Sequence, residues 1–344
     1  MMLSKTPALT QSAWLRPYHP IPFLTGAHKQ TLAGNYWRRK PLSLVPEAES
    51  VVVDPADHSR VLCHCHWQPA SVRSARLTLL LVHGLEGSSD SRYIQGITVR
   101  AWAQGCNVIR MNMRNCGGTD TWTPSLYHSA LSSDVDAVLR HFAQKYALQR
   151  LSMVGYSMGG NLVLKLAGEL ASDAPEWLLA AVAVSPAADL APSADALHEP
   201  QNRLYEWHFL RNLMRRFRRK ASLYPQRYGG VAIGPVHSIR DFDQEITARF
   251  SGFQGAEDYY ARASAARLVH RIAIPTLVLH ADDDPFIRLT PPTAAVMQDN
   301  PAIILVGTSH GGHCAFLAAG PDRHWAEATL LRYLMETVGH AHGS

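Results

Sequence analysis

The sequence predicts an α/β fold: a mostly parallel sheet covered by helices on both faces, with a helical cap insertion. Three observations carry this prediction. From residue 76 onward, strand-sized apolar runs alternate with helical stretches; the runs are LTLLLV (77–82), NVIRMN (107–112), RLSMVG (150–155), AAVAVS (180–185), PTLVLH (275–280) and AIILV (302–306). They are nearly continuous in apolar character, as strands buried on both faces require. Between them, 91–104, 129–147 and 158–171 place apolar residues three and four apart, the spacing of one helix face. A last helix over about 323–337 presents Trp325, Leu330, Leu331 and Leu334 as its buried side.

The alternation breaks between 188 and 272. That stretch has no clear core strand, is rich in aromatics such as Tyr205, Trp207, Phe217 and Tyr260, and predicts a mostly helical cap. An insertion at the carboxyl ends of a parallel sheet lies where such folds bind ligands. The core is then 51–187 together with 273–344. At its start, 51–54 and 60–67 predict a strand pair joined at Pro55-Ala56-Asp57, the second strand lying at the sheet's edge. Residues 1–50, with Pro7, Pro17, Pro20, Pro22, Pro41 and Pro46 and with Trp14 and Trp37, predict an extended arm of little regular structure docked by its aromatics.

Composition narrows the function classes. The 344 residues are 47% apolar and 18% charged, as in a globule with a sizeable core. Lys and Arg number 33 against 28 acids, and the resulting charge of +5 is too small to argue for nucleic acid. No apolar run approaches the roughly 20 residues of a membrane span, and MMLSKTPALTQSAW has no apolar stretch of leader length, so a cytoplasmic protein is expected. Five cysteines (Cys63, Cys65, Cys106, Cys116 and Cys314) do not form a disulfide framework.

The chemistry concentrates in four places. Gly155-Tyr156-Ser157-Met158-Gly159-Gly160 follows the strand LSMV and opens the helix NLVLKLAGEL, the G-x-S-x-G setting of a nucleophile elbow. Gly155 and Gly159 lack side chains that would strike the neighbouring strand and helix, and the helix N-terminus behind the serine favours developing negative charge. A serine needs a base and an acid to orient that base. PTLVLH runs into Ala281-Asp282-Asp283-Asp284; the residue three after the small strand-ending Ala281 is Asp284, with Asp283 the alternative. AIILV runs into Gly307-Thr308-Ser309-His310-Gly311-Gly312-His313, where two glycines let His313, rather than the competing His310, approach the serine. Finally, His83-Gly84-Leu85-Glu86-Gly87 follows the first core strand. The N–H groups of Leu85 and Met158 are the expected oxyanion donors, and His83 is expected to brace that loop.

With these motifs in place, the chain resembles an alpha/beta-hydrolase, and specifically the YheT-like branch related to abhydrolase-domain lipases and esterases. The segments carrying the likeness are PFLTGAHKQTLAGNYWRR (22–39), HGLEGSSDSRY (83–93), MRNCGG (113–118), LYHSALSSDV (126–135), GYSMGGN (155–161), ADDDPF (281–286) and GGHCAF (311–316). The resemblance implies Ser157, Asp284 and His313 as a triad and a carboxylic-ester hydrolase activity. Across the branch the substrates range from short esters to acylglycerols and phospholipids. The reading expects a small-molecule ester or acyl-lipid substrate, an acyl-enzyme, no metal or organic cofactor and no nucleic acid. A thioesterase or amidase uses the same triad, and a non-catalytic fold that binds a lipid or protein partner is the contrasting class.

Two features invite other readings. Cys63-His64-Cys65-His66 resembles a metal site, but alternate residues of a strand face opposite ways, so the four cannot converge on one ion. The run 211–220, with Arg211, Arg215, Arg216, Arg218, Arg219 and Lys220, is either a solvated helix face or a contact for anionic membrane.

Overall fold

The structure is a computed structural model that describes residues 14–55 and 58–339. Its centre is an eight-stranded sheet of β1 (Glu49–Val53), β2 (Val61–His66), β3 (Thr78–Val82), β4 (Asn107–Met111), β5 (Leu151–Tyr156), β6 (Leu178–Val184), β7 (Thr276–Ala281) and β8 (Ile303–Thr308), in the order β1-β2-β4-β3-β5-β6-β7-β8. β1 pairs with β2, and β2 with β4, antiparallel; every other pairing is parallel. All residues of β3, β4 and β5 are buried, because helices cover both faces.

The helices are α1 (Ala27–Tyr36), α2 (Ala70–Arg73), α3 (Arg92–Ala103), α4 (Ser132–Lys145), α5 (Met158–Leu170), α6 (Leu190–His198), α7 (Arg203–Leu223), α8 (Pro225–Tyr228), α9 (Ile239–Phe242), α10 (Ala256–Ala263), α11 (Pro291–Asp299) and α12 (Trp325–Gly339). Strand alternation divides the core in two. Leu80 and Val82 pack with Val135 and Phe142 of α4 and Leu162 of α5. Leu79 and Leu81 pack with Ile94 and Ile97 of α3 and with Trp325 and Leu334 of α12. Each such side chain contributes about 1.5–3 kcal/mol on burial, so this central sandwich is the rigid frame for the loops at its carboxyl edge. Between β6 and β7 the chain forms α6 to α10 and a π-helical turn, Asp243–Ala248, with no strand.

Three expectations need correction. The N-terminal segment is not extended throughout: it contains α1, whose buried residues are Gln30, Thr31 and Gly34. A helix buried through polar and small residues has no apolar stripe, so periodicity gives no signal for it. Trp14 does dock as expected, edge-on to Tyr333 at 5.2 Å between ring centres. Second, β2 is not the edge strand; β1 is, and β2 lies between β1 and β4. Cys63 and Cys65 are core residues, while His66 accepts from the Arg110 guanidinium at 3.2 Å on the opposite face. Third, the basic run does not face solvent as a unit. Arg216 pairs with Glu86 at 3.1 Å and Asp120 at 3.3 Å. Lys220 is buried and donates to Asn115 at 2.7 Å and to the carbonyls of Asp120 and Thr123. Arg211, Arg215, Arg218 and Arg219 remain exposed.

Candidate active site

Ser157 occupies the turn from β5 into α5 with φ 56° and ψ −119°, a strained backbone for a residue with a side chain. Close packing holds it there. A Cβ on Gly155 would lie 2.1 Å from the Gly159 carbonyl oxygen, and one on Gly159 would lie 2.4 Å from that of Val82. The Ser157 N–H donates to the Val184 carbonyl of the adjacent strand at 2.9 Å. Asn161, one turn into α5, ties the turn's surroundings together: its amide donates to the Ser129 and Ala263 carbonyls at 3.0 and 2.9 Å, and it accepts from the Ala265 N–H at 2.8 Å.

The loop after β3 passes close above Ser157, so a Cβ on Gly84 would lie 3.0 Å from the Ser157 Cβ. The N–H groups on either side of Leu85 are occupied, Gly84 by the Tyr93 hydroxyl at 2.9 Å and Glu86 by that of Tyr127 at 3.3 Å. Among the described residues the N–H of Leu85 and the N–H of Met158 donate to no protein acceptor. His83 braces this loop: it accepts from the Met113 N–H at 3.1 Å through Nε2, so Nδ1 carries the proton and donates to the Gly84 carbonyl at 2.8 Å. Burial pushes its pKa down to about 4, which keeps the ring neutral.

Beyond β7 and β8 the two alternatives for the acid and the base sort into pairs. Asp284 is buried; its Oδ1 accepts from the Phe286 and Ile287 N–H groups at 3.2 and 2.9 Å, and its Oδ2 lies 2.8 Å from His313 Nδ1. Asp283 instead faces His310 at 3.4 Å and accepts from the Gly312 N–H at 2.9 Å. Burial alone would raise the Asp284 carboxyl, but the His313 charge and the hydrogen bonds hold it below the ordinary carboxylate value. For His313, burial acts downward; a Cys314 thiolate and then the Asp284 carboxylate outweigh it and raise the imidazole to about 10.

Ser157 and His313 line one groove of about 640 Å³ together with Gly84, Leu85, Tyr205 and Phe286. They do not hydrogen-bond each other; His313 Nε2 lies 3.7 Å from Cys314 Sγ. Catalytic hydrogen bonds of unliganded enzymes often tighten only with substrate. A second, apolar cavity opens beside Ser157, Leu85 and Met158 and runs under α6, α7 and α9. Sequence reasoning missed the support given to His313 by α1. Thr31 Oγ1 accepts from the His313 N–H at 2.9 Å, and the Gln30 amide exchanges hydrogen bonds with Leu317 at 2.9 and 3.1 Å. The signal lay in HKQT of PFLTGAHKQTLAGNYWRR, where Gln30 and Thr31 are buried while Lys29 is exposed.

A family model described as the alpha/beta hydrolase fold matches residues 78–317. The chain is an alpha/beta hydrolase. This hydrolase is 31% identical over 326 residues to the YheT protein of Escherichia coli strain K12, covering 92% of each chain, so the likeness to the YheT-like branch holds nearly end to end. It is 26% identical over 335 residues to the human phospholipase ABHD3, spanning 94% of this chain and 80% of that one. Among solved structures, the Pyrococcus furiosus esterase Pf2001 superposes with a TM-score of 0.59 at 14% identity, over 88% of this hydrolase and 97% of the esterase, a likeness of fold.

Proposed function

We propose that this alpha/beta hydrolase cleaves carboxylic esters, of short- to medium-chain acids or of acyl lipids, through an acyl-enzyme on Ser157. Ser157 Oγ attacks the carbonyl carbon while His313 takes its proton. The tetrahedral oxyanion sits between the Leu85 and Met158 N–H groups. Collapse breaks the bond to the alcohol, whose oxygen receives the proton from His313. Water, activated by the same imidazole, then releases the acid. Asp284 holds Nδ1 and stabilises the imidazolium. The observation that carries the reading is the pair of N–H groups without a protein acceptor, those of Leu85 and Met158, beside a strained serine that shares one groove with the Asp284-bound histidine. The phospholipase and esterase among the similar proteins support the ester class.

A panel of p-nitrophenyl esters of rising chain length tests this. The wild type is expected to hydrolyse the short and medium chains, and Ser157→Ala to lose at least about 10⁴-fold in rate. A panel left intact while thioesters or amides are cleaved would move the reading to those acyl groups. A folded protein inert to all three, yet retaining lipid or a protein, would make it a binding protein.

The exposed apolar residues Leu204 of α7 and Leu32 and Tyr36 of α1 line the groove, and exposed Trp207 of α7 carries Arg211 over its ring at 5.3 Å. They support a peripheral contact with anionic membrane through the outer side of 211–220. Arg211→Glu with Arg215→Glu is expected to weaken sedimentation with phosphatidylserine vesicles; unchanged sedimentation would remove this contact.

A further inference from the structure

The apolar cavity beside Ser157 is lined by side chains such as Met158, Leu213, Ile239 and Phe242, and it also contains one carboxylate, Asp243. Asp243 opens the π-helical turn, a geometry that recurs at functional positions. Its Oδ2 accepts from the Tyr260 hydroxyl at 2.8 Å, and Thr247 is its other side-chain partner. A carboxylate offers about four acceptor positions, so acceptor capacity remains on the cavity side. Among the described residues no Lys or Arg forms an ion pair with it. The cation whose charge acts on it, Arg240, lies over the Tyr260 ring at 5.2 Å and is committed to Asp195 and Glu257. Burial accordingly raises the Asp243 carboxyl to about 6, despite the opposing effects of Thr247, Tyr260 and Arg240.

Tethering Tyr260 alone does not require a charge; an amide would accept the same hydrogen bond without the desolvation cost of a half-buried carboxylate that has no cation paired with it. We propose that Asp243 is a specificity residue of this cavity and selects acyl groups that carry a hydroxyl along the chain. This rests on the ester-hydrolase reading above and names its substrate class. A hydroxyl donated to a carboxylate forms a charge-assisted hydrogen bond, roughly twice as strong as a neutral one. A hydroxyl also suits the site better than an ammonium group does. It pairs with either protonation state of the carboxyl, and it enters an apolar cavity at far lower desolvation cost than a full charge. A plain chain would leave Asp243 facing hydrocarbon, the situation in which sites built for a hydroxyl discriminate most strongly.

The test compares kcat/KM of the full chain for p-nitrophenyl octanoate and for octanoates bearing one hydroxyl at the third, sixth or eighth carbon. The ratio of hydroxylated to plain ester is read within each protein, so differences in folded fraction cancel. The wild type is expected to favour one of the hydroxylated esters by about tenfold or more. Asp243→Asn should narrow that ratio, and Asp243→Leu should bring it to one or below. A ratio that stays the same in wild type and both variants, with all esters turned over, overturns the assignment of Asp243 and leaves the ester reading standing. If the wild type cleaves none of the esters, the ester reading fails and this inference falls with it.

Discussion

Around Ser157 the site is held by backbone, and around His313 it is held by side chains from a distant part of the chain. The serine turn is fixed by contacts in which no added atom fits, Gly155 against the Gly159 carbonyl and Gly159 against the Val82 carbonyl, and the Gly84 backbone passes closely over Ser157. His313 sits in a loop steadied by Asp284 from beyond β7 and by Thr31 from α1, 282 positions earlier in the chain. The histidines of the two regions are tuned in opposite directions. His83, beside the serine, is pushed down to about 4 by burial, whereas His313 is raised by its acidic neighbours. Backbone packing is all or nothing, so it suits a nucleophile whose position cannot vary. Side-chain hydrogen bonds can be weakened by degrees, which suits a base that must shift its contacts during turnover.

This contrast sets the order of expected effects. Gly159→Ala should be the most damaging, because its Cβ meets backbone rather than a movable side chain. It should lower stability by about 3 kcal/mol or more, seen as a collapse of soluble yield or a large fall in Tm. Asp284→Asn should leave Tm nearly unchanged and lower kcat by about 10³–10⁴-fold, because the imidazole loses the partner that fixes its tautomer and stabilises its charged form. What activity remains should rise at lower pH than in the wild type, since removing the carboxylate lowers the His313 pKa.

The next effect is on acid stability. His83 is neutral in the folded protein and ordinarily titrates near 6.5. Its folded value is depressed, so its contribution is fully present above pH 6.5 and is lost as pH falls through about 4. Protonation also removes the Nε2 acceptor used by Met113. Thermal melts between pH 7 and 4 should show a steeper fall for the wild type than for His83→Asn, and parallel curves would contradict the brace. Smallest is Thr31→Val, which removes the acceptor for the His313 N–H. It should lower kcat/KM by about tenfold with little change in the plain apolar core, and Thr31→Ser should restore most of the rate. A Thr31→Val enzyme of full activity would show that α1 merely packs against the loop.

The same contrast explains what was legible in the sequence. The sheet and the serine turn could be read because buried strands are continuously apolar, and the elbow compresses its constraints into six adjacent residues, 155–160. The order of acid and base followed from the strand ends before Ala281 and Thr308. The preference for Asp284 over Asp283 rested in the sequence only on its distance past the strand-ending Ala281; the turn after β7 directs Asp284 toward His313 and Asp283 toward His310. α1 was illegible because it buries Gln30, Thr31 and Gly34, and the prolines on either side dominate the local pattern. The division of the basic run was likewise hidden. Arg216 and Lys220 lie one turn apart on α7, and only the loop holding Asn115, Asp120 and Thr123 shows that this face turns inward.

The central claim is that Ser157 is the nucleophile. Incubating the folded protein with a fluorophosphonate and mapping the adduct by peptide mass spectrometry tests it directly. A single adduct is predicted on the peptide containing Ser157, absent from Ser157→Ala and slowed in Asp284→Asn. An adduct on another residue, or unchanged labelling of Ser157→Ala, would contradict the account.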